Sequence, residues 1–100
     1  MGDRMDDADV LPPGLELTRT TPTFTEETVP AGLLAAHRTA PEVWGRLVVE
    51  RGSLTFRFED APGAPIPVAA GGHVVIPPGR PHHVELDGPV AFAVEFHRRR

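Results

Sequence analysis

Between residues 71 and 86 the chain reads GGHVVIPPGRPHHVEL, and within that stretch Gly71, Pro77, Gly79 and His82 stand five, one and two residues apart. The apolar run HVVI suits a strand, Pro77, Pro78 and Gly79 force a turn, and His82 opens a returning strand. Proline fixes φ and removes an amide donor, while glycine permits a reversal that a side chain would obstruct. A histidine leaving so constrained a turn points in one reproducible direction, as a ligand or a catalytic base must.

The same two residue types punctuate the whole chain. Twelve prolines and ten glycines in 100 residues leave no room for long helices and favour short strands joined by turns. One hundred residues make one domain with one modest core. Cysteine is absent, so disulfides and thiolate metal sites are excluded and any metal must take nitrogen and oxygen ligands. The formal charge of -4 argues against a nucleic-acid partner, because phosphate contacts need a concentrated basic surface. Arg98, Arg99 and Arg100 form the single basic run and read as a solvated tail.

The opening MGDRMDDADV carries four Asp and is the reverse of a signal peptide. No apolar run approaches the roughly 20 residues that span a bilayer, so the expected location is the cytoplasm, with no membrane partner. Residues 1–10 read as a flexible acidic leader and 11–100 as the folded domain.

Taken in order, residues 15–24 alternate as an edge strand interrupted by Pro22. GLLAAHRT, 32–39, has helical propensity of its own, but the prolines at 30 and 41 and the β-rich flanks favour a strand, with Leu33, Ala35, His37 and Thr39 on one face. Residues 43–50 and 53–59 read as a β-hairpin about Arg51 and Gly52, with Val43, Gly45, Leu47, Val49, Leu54, Phe56 and Phe58 inward and Trp44 on the outer face, where a large aromatic marks a subunit contact. Residues 60–65 are a loop and 66–69 a short strand. Asp87, Gly88 and Pro89 read as a turn into a last strand on which Val90, Phe92, Val94 and Phe96 alternate with Ala91, Ala93, Glu95 and His97. The sum is about eight or nine short strands, an all-β single domain of jelly-roll type.

His82 shares a strand face with Val84 and Leu86, so alternation turns it inward and His83 and Glu85 outward; a bulge would exchange His82 and His83. The bland reading of His82 is a core histidine satisfied by a backbone carbonyl. His37, on a face with Leu33, is the second candidate. Two imidazoles inside an apolar barrel are costly unless something binds them, and a divalent metal (Zn, Fe or Ni) is an economical binder. A metal wants a third protein ligand, for which Thr39, His83, Glu85, Glu95 and Glu42 are available. Glu95 would complete a two-histidine, one-carboxylate set, although its neighbours in phase, Ala91 and Ala93, form the less apolar face. The candidate metal residues are therefore His37, His82, His83 and Glu95. His73 and His97 read as surface or supporting residues, and Arg38, Arg46, Arg57 and Arg80 as solvated. Phosphate loops, GxSxG and HExxH motifs are absent.

The segments TPTFTEETVPAGLLAAHRT, VWGRLVVERGSLTFRF, VIPPGRPHHVE and FAVEF occur in an order that resembles the TehB/YeaR-like family of small bacterial cupins. The resemblance spans roughly residues 12–98. It implies a cupin double-stranded β-helix (jelly roll) and a homodimer, and links relatives to tellurite resistance and to nitrate or nitrite stress. Relatives fused to a methyltransferase exist, but that domain is not in this sequence. In the general cupin pattern the spacing from Gly71 to His82 matches the second signature motif, whose last position, often Asn, is Leu86 here. In the first motif His37 matches the first histidine, Thr39 stands at the second, the glutamate position falls near Trp44 or Gly45, and Gly52 closes it. Three readings follow: a metal-binding cupin that takes a small molecule or oxyanion in its barrel, a metal-dependent enzyme of dioxygenase or isomerase type, and a metal-free dimeric module with structural histidines.

Overall fold

The computed structural model describes residues 10–100, so the expected leader lies, apart from Val10, outside the described residues. The elements in chain order are β1 (Leu15–Thr20), β2 (Phe24–Thr25), a 3-10 helix (Ala31–Leu34), β3 (Trp44–Phe58), β4 (Ile66–Ala69), β5 (His73–Ile76) and β6 (His82–Arg99). They form one antiparallel six-stranded sheet in the order β1-β6-β3-β4, with β2 added to β6 and β5 to β3.

Two long strands, β3 and β6, are the frame. They pair with each other from Trp44 opposite His97 to Phe58 opposite His82, and each carries different short strands along its length. The first part of β3 pairs with β5 and the second with β4, while the last part of β6 pairs with β1. The hairpin expected at 51–52 and the turn expected at 87–89 are therefore not chain reversals. Both sites are irregularities inside continuous strands, with the register shifting between Val49 and Arg51 and again between Gly52 and Leu54. Gly52 has φ +74°, and a Cβ there would lie 2.1 Å from the Pro89 carbonyl oxygen. The backbone approaches its partner too closely for any other residue, which is the geometry of a glycine bulge.

That bulge changes the phase of the strand. Before it Gly45, Leu47 and Val49 are buried, after it Leu54, Phe56 and Phe58 are, so odd positions face the core first and even positions next. Apart from Val43, which is half-buried ahead of β3, the inward sets expected from alternation are thus both found, joined by a bulge instead of a turn. With Val74, Ile76, Val84, Val90, Phe92 and Val94 they build one core cluster. At about 25 cal/mol per Å² of apolar area, burying each of these side chains contributes roughly 1.5–3 kcal/mol before entropy is set against it.

The segment 32–39 also departs from expectation. Its first part is the 3-10 helix, opened by Pro30 at φ -62° and closed by the Leu33 N–H donating to the Pro30 carbonyl at 3.0 Å. Local propensity prevails there, and among the described residues, 31–34 pair with no strand. Leu33 still packs against the core, but Ala35 is exposed. Trp44 is half-buried at the start of β3. No helix among the described residues is long and apolar enough to cross a membrane.

Candidate functional site

His37 and His82 come together. The His37 N–H donates to the His82 carbonyl and the His82 N–H to the His37 carbonyl, both at 2.8 Å, forming an isolated antiparallel bridge. Their rings lie 5.4 Å apart at 71°, edge to face, and His82 also stacks on Phe56 at 5.2 Å and 19°. His82 is 2% exposed.

The turn that delivers His82 is held from both sides. The Gly79 N–H donates to Thr39 Oγ1 and Arg38 donates to the Gly79 carbonyl, each at 3.3 Å. On the other side the Glu59 N–H donates to the Pro81 carbonyl at 2.8 Å, and the Arg80 guanidinium binds the Asp60 carboxylate while lying 3.6 Å over the Phe58 ring. Arg80, expected to be solvated, is a clamp, and nothing in the local sequence signalled its partners. Its carbonyl has a second role: it lies 3.0 Å from His82 Nδ1. A carbonyl only accepts, so Nδ1 carries the ring proton and Nε2 presents a lone pair. Burial pushes the His82 imidazole below the usual histidine value, against the Arg80 carbonyl bond, which raises it.

Both rings border a cavity of about 190 Å³ whose walls include Leu33, Leu47, Ile76, Val84 and Val94. Pro30 and Gly32 line it and are exposed, so it reaches the surface beside the 3-10 helix. Its polar members are Thr21, His37, Thr39 and His82. The Thr21 hydroxyl accepts from the Val94 N–H at 3.0 Å and donates to the Pro22 carbonyl at 2.8 Å, and Thr39 accepts from Gly79. The Thr39 hydroxyl proton and the imidazoles are left over: His37 Nδ1 is buried without a partner, and among the described residues neither Nε2 hydrogen-bonds to the protein.

His83 and Glu95 lie elsewhere. His83 bonds through Nδ1 to Glu59 and through Nε2 to Glu85 at 2.8 Å, and Arg57 holds Glu85 at 2.9 Å. Those bonds, Glu85 first and then Glu59, raise the His83 imidazole above the usual value. Glu95 bonds to Arg46 at 3.1 Å and to His97 at 3.0 Å. Val94 and Phe96 on either side of it line the cavity, so Glu95 occupies the opposite face. No group of three metal-binding side chains is assembled among the described residues. The cavity lining offers two imidazoles and no carboxylate, which falls short of the donor set that a resident divalent ion requires. The residues therefore do not fit the metal that a cupin relationship implies.

The comparisons with known proteins agree with the fold. The family model for the TehB-like domain matches residues 19–94. A crystal structure of a protein from E. coli strain K12 superposes with a TM-score of 0.82 at 28% identity, covering 91% of this chain and 88% of that one. TehB from Haemophilus influenzae superposes with a TM-score of 0.79 at 23% identity over 87% of this chain, which corresponds to 32% of TehB. A search of curated proteins finds no match. The residues matched include both cavity histidines, the turn between Ile76 and His82 and most of the two long strands, and on that basis the chain belongs to the TehB-like domain family.

Proposed function

We propose that this chain is a small-ligand-binding module, its ligand seated in the apolar cavity and meeting the His37–His82 pair with a polar end. One observation carries the reading: two imidazoles line a mostly apolar cavity, and among the described residues neither ε-nitrogen has a protein hydrogen-bond partner. A ligand there replaces solvent at the ε-nitrogens with a hydrogen bond shielded from water and buries its apolar part against the cavity walls. At liquid density the cavity would hold about six waters, enough for a compact molecule of one ring.

Membership of the TehB-like family supports a role related to tellurite resistance. The cavity chemistry disfavours the tellurite dianion itself as occupant, because moving an unpaired anion among apolar walls costs far more than neutral imidazoles return. The long paired strands β3 and β6 with their bulges, and the family match, support the finer architecture of a cupin jelly roll.

The test is a fragment titration of the untagged protein followed by methyl and imidazole NMR. Saturable shifts at the cavity methyls support the reading. Shifts confined to other surfaces contradict it.

A further inference from the structure

Resting on that reading of the cavity, we infer that the ligand's polar group is an uncharged hydroxyl, alcoholic or phenolic, that donates to His82 Nε2 and accepts from the ε N–H of His37. The inference follows from where the two ring protons must sit. His82 Nδ1 faces the Arg80 carbonyl at 3.0 Å and so holds the proton, leaving Nε2 as an acceptor. His37 Nδ1 is buried with no partner. An orphaned buried N–H is rarer in folded proteins than an orphaned lone pair, so the His37 proton belongs on Nε2. One ring then offers a lone pair and the other an N–H.

The two rings do not hydrogen-bond to each other; they meet edge to face with centroids 5.4 Å apart. A hydroxyl is the smallest group that can serve both, since its one oxygen donates and accepts. An anion would satisfy His37 and be repelled by the His82 lone pair. An ammonium would do the reverse. The desolvation that holds His82 in its neutral form near pH 7 keeps this donor–acceptor pattern in place. The Thr21 hydroxyl is engaged in both roles by Val94 and Pro22, and the Thr39 hydroxyl, which accepts from Gly79, keeps a donor that complements a ligand oxygen.

The experiment uses the untagged, ¹⁵N-labelled chain and four probes of similar size: phenol, anisole, toluene and benzoate. Imidazole-detected spectra of the free protein should show His82 as the Nδ1–H form and His37 as the Nε2–H form; the opposite assignment of either ring overturns the inference whatever binds. In the titrations phenol should bind at least tenfold more tightly than anisole or toluene, with shifts at both Nε2 atoms, and benzoate should bind more weakly than phenol. Equal binding of phenol, anisole and toluene overturns the hydroxyl assignment while leaving the cavity a ligand site. Preferred binding of benzoate overturns it in favour of an anion. Binding of none of the four at the cavity removes the ligand reading itself, and the hydroxyl inference with it.

Discussion

His37 and His82 are joined by two reciprocal backbone hydrogen bonds of 2.8 Å, so their main chains fix the distance between rings whose own contact is only edge to face. The pair is therefore positioned by the backbone, and replacing one ring need not displace the other. In the His37→Ala variant the His82 imidazole should keep its Nδ1–H form, because the Arg80 carbonyl that sets it is untouched. Imidazole ¹⁵N shifts of the variant check this, and a change of His82 tautomer would show that His37 sets it instead.

His82 is packed as a core residue as well as a polar one. Truncating it to Ala removes a buried ring from its stack on Phe56 and should cost about 2–4 kcal/mol in urea unfolding, whereas Phe, which preserves the stack, should cost clearly less. Equal losses for the two variants would mean that the Nδ1 bond to Arg80, and not packing, dominates.

The adjacent histidines should make opposite contributions to stability as pH changes. His83 is raised above its usual value by Glu85 and Glu59, so its stabilisation is complete below about pH 6.5 and is lost as pH rises through its folded-state value. His82 is lowered by burial, so its contribution is complete above about pH 6.5 and is lost as pH falls through its own folded-state value. Unfolding free energies from pH 4 to 9 should thus change slope in His83→Gln on the alkaline side and in His82→Phe on the acid side. A His83→Gln profile parallel to wild type would remove the Glu59–His83–Glu85 interaction from the account.

Gly52 carries the phase change of β3. Alanine there must relieve a 2.1 Å approach to the Pro89 carbonyl and accept φ +74°, so Gly52→Ala should lose at least about 2 kcal/mol. Gly63, where a Cβ would meet nothing within 4 Å, is the control and should tolerate alanine. A neutral Gly52→Ala would mean that β3 turns at this point after all.

Because the cavity supplies two imidazoles and no carboxylate, chelation should leave the thermal midpoint of the untagged protein unchanged. A midpoint that falls with chelator and recovers with zinc would show that a third donor reaches the pair.

Much of this arrangement was legible in the sequence. The turn chemistry of residues 77–81 and the apolar phase of Val84 placed His82 inward and His83 outward, and the alternation of Leu54, Phe56 and Phe58 gave the inner face of β3. The hairpin at 51–52 and the turn at 87–89 were not separable from bulges, because glycine signals a turn and a bulge alike and only the pairing of β3 with β6 across Gly52 distinguishes them. His37 was reached by a strand that does not exist: residues 31–34 are helical, and an isolated bridge alone brings its backbone to His82. Glu95 and His83 could be placed opposite the cavity by parity, which also puts His97 beside Glu95 and Glu85 beside His83, but their other partners Arg46 and Glu59 are set by strand register and strand ends, which composition does not encode.

The most direct test of the ligand site is a phenol titration of protein with ¹³C-labelled Leu, Ile and Val methyl groups and ¹⁵N-labelled imidazoles. The cavity account predicts saturable shifts concentrated at Leu33, Leu47, Ile76, Val84 and Val94 together with the rings of His37 and His82. Shifts centred instead on the separate hollow at Glu42, Trp44 and Arg99, with the two histidines unmoved, would contradict it.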